Sequence, residues 1–301
     1  MATYNGEKFL RKQLDSIFSQ TYTHFCLYVF DDHSDDNTLD ILKEYKKYYP
    51  NLKFVENSYN RGYVKNFEEA LRYVQESYIF LSDQDDIWEK DKLQLQLSQL
   101  LQVEKKFPNV PIMIHSDLSV IDGEEKIIFS SYFKKRNYNL KSTKDLGHIV
   151  GPCGVMGNTI GMNKILKEKI LPFPQTLDNH DYWIALVNEV CGIRITFNRT
   201  LVQYRIHLSN SSNNITTFNK SIFSLKMGSL PYINSNRKQT IQYLLENYQL
   251  KKNDERLLKH FCDYLDRKSL LSRVYYPIRY SFIKRAILYR VKFFLKSLLN
   301  L

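Results

Sequence analysis

Tyr78-Ile79-Phe80-Leu81-Ser82-Asp83-Gln84-Asp85-Asp86-Ile87-Trp88 sets an acidic cluster directly after a short apolar run. Tyr78 to Leu81 reads as a buried strand bounded by polar residues. The cluster then lies on the loop at the strand's C-terminal end. In an open α/β sheet, ligands bind at that edge. Carboxylates at i and i+2, here Asp83 and Asp85, can converge on one hard divalent cation, which prefers oxygen ligands and often bridges phosphates. A solvated acidic turn is the plainer reading of an isolated Asp-x-Asp, and the flanking sequence argues against it.

Outward from this stretch, helical and strand patterns alternate. Phe9, Leu10, Leu14, Ile17 and Phe18 recur at helical spacing, which predicts a helix over 7–19. Cys26 to Phe30 is an apolar run leading into Asp31-Asp32. Ser34 is a candidate cap for a helix with Leu39, Ile41, Leu42 and Tyr45 on one face. Leu52 to Val55 is a short strand; Val64, Phe67, Ala70, Leu71 and Val74 form another helical face. A Leu-rich helix over 91–103 and a strand at Ile112-Met113-Ile114 follow, the latter ending at His115-Ser116-Asp117. The alternation predicts an α/β fold: a mostly parallel, Rossmann-like sheet with helices on both faces. No G-x-G-x-x-G or P-loop pattern occurs, so the usual dinucleotide and P-loop sites are excluded.

Two of these strands end in acidic groups, Asp31-Asp32 and Asp83/Asp85/Asp86. In one parallel sheet both tips face the same edge. Such grouping is costly without a cation or a donor-rich ligand, because like charges repel. A nucleotide supplies both: base and ribose donate hydrogen bonds, and the diphosphate brings a metal.

An apolar fraction of 43% over 301 residues excludes a disordered chain. The four cysteines form no Cys-x-x-Cys pair, so neither a zinc site nor a disulfide framework is expected. The start lacks a signal-type segment, and no uncharged apolar run approaches the roughly 18 residues of a spanning helix. Charge is uneven. Residues 218–301 carry 17 Lys/Arg against 5 Asp/Glu, while residues 1–217 carry 26 against 27. The polar stretch 209–214 precedes this shift and reads as a linker, so the expected division is a domain over 1–217 and a basic helical extension over 218–301.

The segments ATYNGEKFLRKQLDSIFSQTY, VFDDHSDDNT, NRGYVKNFEEAL and YIFLSDQDDIW resemble, in order, the nucleotide-binding half of family 2 glycosyltransferases of the GT-A fold. SDQDDIW and HDYWIALV are most similar to bacterial rhamnosyltransferases of polysaccharide assembly. The resemblance covers roughly residues 2–210. It implies that Thr3, Tyr4 and Asn5 lie against the nucleotide base, and that Asp32 or its neighbour Asp31 holds the nucleoside. It implies that Asp83 and Asp85 bind ribose and a divalent metal, Mg²⁺ or Mn²⁺, with Asp83 on the donor side. Gly157, Asn158 and Thr159 then border the donor sugar and acceptor, and Asp181 is the catalytic base. In Tyr204-Arg205-Ile206-His207, Arg205 faces the diphosphate and His207 the metal. Trp183 and Tyr182 would give a sugar its stacking surface. Plainer readings stand beside these: His180-Asp181 as a helix cap, Arg205 and His207 as loop residues. His115-Ser116-Asp117 is either part of the sugar pocket or a satisfied turn.

The implied activity is an inverting, metal-dependent transfer of a sugar, rhamnose by the nearest resemblance, from a nucleotide-sugar donor to a saccharide or lipid-linked acceptor. An attacking hydroxyl needs a base, and the departing diphosphate needs positive charge. In the family an apolar strand precedes the A-T-Y-N segment; here only Met1 and Ala2 stand there, so an open groove in the sheet is expected. That departure keeps a second reading open, a non-catalytic relative acting as a membrane-associated binding or assembly protein.

The extension reads as helical. Ile278–Leu299 mixes aromatic, aliphatic and basic residues, with Arg285, Lys292 and Lys296 on one face and Ile283, Ile287, Phe294 and Leu298 on another. This predicts an element lying on an anionic membrane surface, at the cytoplasmic face of the cell membrane. A helix packed on the main domain is the alternative. No nucleic-acid motif accompanies the basic residues, so nucleic acid is not an expected partner.

Overall fold

Apolar spacing accounts for the first elements. The computed structural model describes residues 1–138, 140–207, 236–283, 290, 291, 293 and 294. Strand β1 is Ala2–Thr3, α1 is Leu10–Phe18, β2 is Leu27–Asp31, α2 is Thr38–Tyr48, β3 is Leu52–Glu56 and α3 is Tyr63–Tyr73. Helix α1 buries Leu10, Leu14 and Ile17, spaced at i, i+4 and i+7. Helix α3 does the same with Phe67, Ala70 and Leu71. Ser34 does not cap α2; its hydroxyl donates to Asp31 Oδ1 (2.7 Å) and accepts from the amide of Asn5 (2.9 Å).

Next come β4 (Tyr78–Phe80), β5 (Ile87–Trp88), α4 (Lys92–Lys106), β6 (Ile112–Ile121), β7 (Ile127–Phe129), α5 (Tyr132–Arg136), α6 (Leu146–Val150) and a 3₁₀ turn over Gly157–Thr159. Strand β8 (Gly161–Asn163), α7 (Lys164–Ile170), α8 (His180–Cys191) and β9 (Ile193–Arg205) complete this part; α9 (Arg237–Asn247), α10 (Lys252–Leu265) and α11 (Tyr276–Arg279) follow.

The strands form two sheets. The first is parallel, β1-β2-β3, in register Ala2 to Phe30 and Leu27 to Leu52. The second, β4-β8-β6-β9-β5, is mixed: only β6 and β9 run parallel. The parallel expectation therefore holds for the first sheet and not for the second. The amide of Ala2 donates to Ser82 O (3.3 Å) and ties the two together. Below this tie an apolar groove of about 690 Å³ separates β2 from β4, with Leu27, Phe67, Leu71, Ile79 and Leu97 among its walls. Met1 is buried among its walls, its amino group donating to Tyr28 O (2.7 Å).

Strand β6 is buried along its whole length and continues seven residues past Ile114. His115, Ser116 and Asp117 therefore sit within a strand, not after it. Asp117 is enclosed by the Ser131 hydroxyl (2.5 Å) and the Phe133 amide (2.9 Å), and does not line the cleft described below.

Helix α8 lies at the centre of the larger core. Trp183, Ile184, Ala185, Leu186 and Val187 are fully buried and share that core with Ile241 and Leu244 of α9 and Leu258, Phe261 and Tyr264 of α10. Phe282, Ile283 and Phe293 belong to it as well. Helix α9 thus packs on the helix that carries Asp181, through Tyr243 against Trp183, and α10 packs on α9 and α6. Of the tail residues singled out in the sequence, Arg285, Lys292, Lys296, Ile287 and Leu298, like the stretch 209–214, lie outside the described residues.

Candidate active site

The carboxyl ends of β1, β2 and β4 open onto a cleft of about 620 Å³, closed on its far side by the first turn of α8. Thr3, Tyr4 and Asn5 form one wall; Asp83, Gln84 and Asp85 form another; Gly157, Asn158, His180 and Asp181 form the third. Gln84 fixes the first wall to the second, its amide donating to Tyr4 O (2.9 Å) and accepting from Tyr4 N (2.8 Å). Gly6 is needed for this approach, since a Cβ there would meet Gln84 Oε1 at 2.4 Å.

Asp31 and Asp32 part at the end of β2. Asp31 turns inward, where it accepts from the Thr3 hydroxyl (2.7 Å), the Ser34 amide (2.9 Å) and the Ser34 hydroxyl. It shapes the loops and does not reach the cleft. Asp32 does reach it, held by the amides of Arg61 (2.9 Å) and Gly62 (2.8 Å) and by Asn57 (2.9 Å). Gly62 adopts φ +81, which suits glycine at this turn.

Burial and crowding raise the acids. Asp83 is pushed up to about 7, first by loss of solvent, then by Asp85 and Asp181. Asp86 is fully buried behind the cleft and raised well above the usual aspartate range by burial, then by Asp85 and Asp83. It accepts from Asn158 Nδ2 (2.5 Å) and the Arg205 amide (3.2 Å). Asp181 rises to about 6 because burial outweighs the Tyr182 and Gly157 amides that favour its charged form. It does not cap α8, which starts at His180 with Asn179 as N-cap; Asp181 sits in the first turn.

Three expected site residues face away. Trp183 is fully buried, donates Nε1–H to Ile170 O (2.8 Å) and packs edge-on against Tyr243 and Tyr248. Two helical steps from Asp181 rotate it by about 200°, onto the core side. Thr159 is enclosed, its hydroxyl donating to Met156 O (2.7 Å). Arg205 lies beneath the cleft at 1% exposure, its guanidinium 4.7 Å over Phe9 and its Nε donating to the backbone carbonyl of Asp85 (2.9 Å). It braces the acidic loop and does not point at a diphosphate.

His207 and Asp85 are together: Nε2 lies 2.8 Å from Oδ2. Among the described residues no three potential ligands cluster. One carboxylate and one imidazole nevertheless fit a Mg²⁺ or Mn²⁺ that completes its shell with phosphate oxygens and water. The cleft also needs positive charge. Asp32, Asp83, Asp85 and Asp181 line it, against Lys8 as the only lysine or arginine among the described residues of its walls.

Tyr63, Gln84, Lys8 and His180 also line the cleft, with no site role assigned to them from the sequence alone. Tyr63 donates to Asn179 Oδ1 (2.8 Å) and ties α3 to the start of α8. The NRG turn before Tyr63 and the Gly6–Gln84 pairing carried a signal only once the loops were known to meet.

A parallel nucleotide-side sheet, a mixed sheet beside it, and an acidic cleft where they meet are the architecture of the GT-A glycosyltransferases. A solved mannosyltransferase, PcManGT from Pyrobaculum calidifontis in complex with GDP-Man and Mn²⁺, has this fold, with TM-score 0.58 at 15% identity over 99% of this chain and 84% of that one. The chain belongs to glycosyl transferase family 2, whose family model matches residues 1–160. Among curated relatives, dTDP-rhamnosyl transferase RfbG of Shigella flexneri is 43% identical over 98 residues, 31% of this chain and 34% of that protein. A longer match joins residues to the Escherichia coli UDP-Glc:alpha-D-GlcNAc-diphosphoundecaprenol beta-1,3-glucosyltransferase WfgD: 26% identity over 220 residues, 71% of this chain and 78% of that protein.

Proposed function

We propose that the protein transfers a sugar, rhamnose in the first instance, from a nucleoside diphosphate donor to a hydroxyl of a growing cell-surface polysaccharide or lipid-linked saccharide, with inversion. Asp181 takes the proton of the acceptor hydroxyl as its oxygen attacks the anomeric carbon; the bond from that carbon to the diphosphate breaks, and the diphosphate leaves. The observation that carries this reading is the position of Asp181, a partly desolvated carboxyl at about 6, in the cleft shared with Asp83 and Asp85. A base works best when its pKa lies near the working pH. Thr3, Tyr4, Asn5 and Asp32 would hold base and ribose, beside Asp83. A divalent cation on Asp85 and His207 would supply charge to the departing diphosphate. The 43% match to a dTDP-rhamnosyl transferase supports rhamnose over a third of the chain.

Release of nucleoside diphosphate from dTDP-rhamnose, UDP-glucose, UDP-GlcNAc and GDP-mannose tests the reading. Asp181→Asn should lower turnover by about 10²-fold or more with little change in donor affinity, because a base acts in the transition state. Near-wild-type turnover in that variant would remove Asp181 from the role. Donor binding without any release would identify the non-catalytic relative.

The proposal extends to an anionic membrane surface at the cytoplasmic face. Leu270, Leu271, Tyr275, Val291 and Phe294 are exposed, and Lys268, Arg273, Arg279 and Arg290 are close in sequence. Exposed apolar groups with basic neighbours suit a charged lipid interface. Among the described residues no helix is long and apolar enough to cross a membrane. Because Phe282, Ile283 and Phe293 are core residues, truncation is a poor test; the double variant Leu271→Glu, Tyr275→Glu is a better one. It should abolish co-sedimentation with anionic vesicles at low salt while the melting temperature holds. Unchanged sedimentation would leave the surface without support.

A further inference from the structure

His180 is the most anomalous polar group in the cleft. Only 6% of it is exposed, yet neither ring nitrogen has a hydrogen-bond partner. The ring is held firmly. It stacks on Phe67 with centroids 4.1 Å apart and meets the edge of Tyr63 at 6.0 Å. Gly157 closes the third side: a Cβ there would come within 2.8 Å of Nε2. The imidazole is therefore fixed, desolvated, and lines the cleft next to Asp181 and Gly157. Burial lowers its pKa to about 3, so at neutral pH the ring is uncharged and offers one N–H donor and one acceptor nitrogen. A buried polar group without a partner is unfavourable. Asn188 is one such group in the core, but His180 lies where a ligand can supply what is missing.

A sugar hydroxyl donates one hydrogen bond and accepts others, which matches a neutral imidazole. A carboxylate or phosphate only accepts and could meet the N–H nitrogen alone, whereas a hydroxyl can meet either one. Resting on the glycosyltransferase reading of this cleft, we propose that His180 binds a ring hydroxyl of the sugar held beside Asp181 and so helps determine which sugar is accepted. The hydroxyl comes from the donor sugar or from the acceptor, and the experiment separates these sources. His180 exchanges no proton with the substrate; it is a specificity-determining residue.

The test compares the wild type, His180→Phe and His180→Gln. Phenylalanine keeps the ring on Phe67 and removes both nitrogens; glutamine restores a donor and an acceptor. Calorimetry is run with dTDP, UDP and GDP, and with dTDP-rhamnose, UDP-glucose, UDP-GlcNAc and GDP-mannose. If the hydroxyl is the donor's, His180→Phe should bind the preferred nucleotide sugar about tenfold more weakly and the bare nucleotide equally well. If it is the acceptor's, both affinities hold and the KM for the acceptor rises about tenfold at unchanged donor KM. His180→Gln should recover part of either loss. The melting temperature of His180→Phe should equal or exceed that of the wild type, because an unpaired polar group has been removed; a purely structural histidine would lower it. Unchanged sugar binding and acceptor KM in His180→Phe, or equal loss of bare nucleotide and nucleotide sugar, would overturn the proposal alone. A wild type that binds none of the nucleotides or nucleotide sugars would overturn the glycosyltransferase reading, and this inference with it.

Discussion

His180 and Trp183 are three residues apart on α8, and both are buried aromatic rings with nitrogen to satisfy. Trp183 faces the core and has its partner in Ile170 O; His180 faces the cleft and has none. The same division runs through the acids. Glu189, at the other end of α8, is buried but paired with Arg194 at 2.9 Å. On the cleft side both Asp83 and Asp181 are raised by burial, and Asp83 also by the charges of Asp85 and Asp181. Trp183 and Glu189 are satisfied without a ligand, although Asn188 on the same helix is buried with neither amide atom partnered, so the division holds for these side chains and not for the whole core. The cleft side holds polar groups in positions that favour binding at the expense of stability.

The comparison can be broken at its strongest point first. Trp183→Ala should cost about 3–5 kcal/mol, the range for deleting a large buried aromatic, as measured by urea unfolding. A loss under 1 kcal/mol would mean that the core side is not the stabilising one. On the cleft side the largest expected change is in binding. Asp85→Asn should weaken donor binding about tenfold in the presence of Mn²⁺ and leave metal-free binding nearly unchanged, since a neutral amide is a poor ligand for a hard cation. Calorimetry with and without Mn²⁺ decides it, and unchanged metal dependence excludes Asp85 as a ligand.

The smallest effect sharpens the contrast through pH. Asp83 in the folded protein sits at about 7, above the ordinary aspartate value of 3.8. Between those values the folded state holds a proton that the unfolded state has released. Stability from this group therefore falls as pH rises through that window, and the penalty is complete above it. Asp83→Asn should raise stability at pH 8 by about 1–2 kcal/mol, with the partial exposure of the carboxyl taken into account, and should flatten the slope between pH 4 and 7. Denaturant unfolding across pH 4–8 checks this. A variant less stable than the wild type at pH 8 would show that Asp83 is satisfied in the empty cleft.

Much of the first sheet and its helices was legible in the sequence, because each element there carries a plain period. The helical face through Phe67 and Leu71 and the apolar run before Asp83 needed no tertiary knowledge. The cleft was legible as a set of loops and less so as a set of directions. Asp31 and Asp32 are adjacent in sequence, and only the alternation at the end of β2 decides which one faces out. Trp183 was grouped with Asp181 by closeness in sequence, and helical rotation separates them. Arg205 ends a 13-residue strand, β9, whose polar and charged residues hid its extended pattern. Seen as a loop it faces a ligand; as a strand end it turns inward under Asp85. The mixed second sheet was also hidden, since strand order depends on contacts between residues as distant as Ile79 and Met162.

The groove between β2 and β4 has a consequence for handling the protein in solution. β4 pairs with β8 on one side, and no described strand pairs with its other edge. An open strand edge beside apolar walls is a template for a neighbouring chain. Self-association should therefore begin at this groove and grow with concentration, before the acidic cleft or the core opens. A solution that scatters light while its far-UV spectrum is still native would carry that signature, and an apolar pentapeptide able to occupy the groove should delay it.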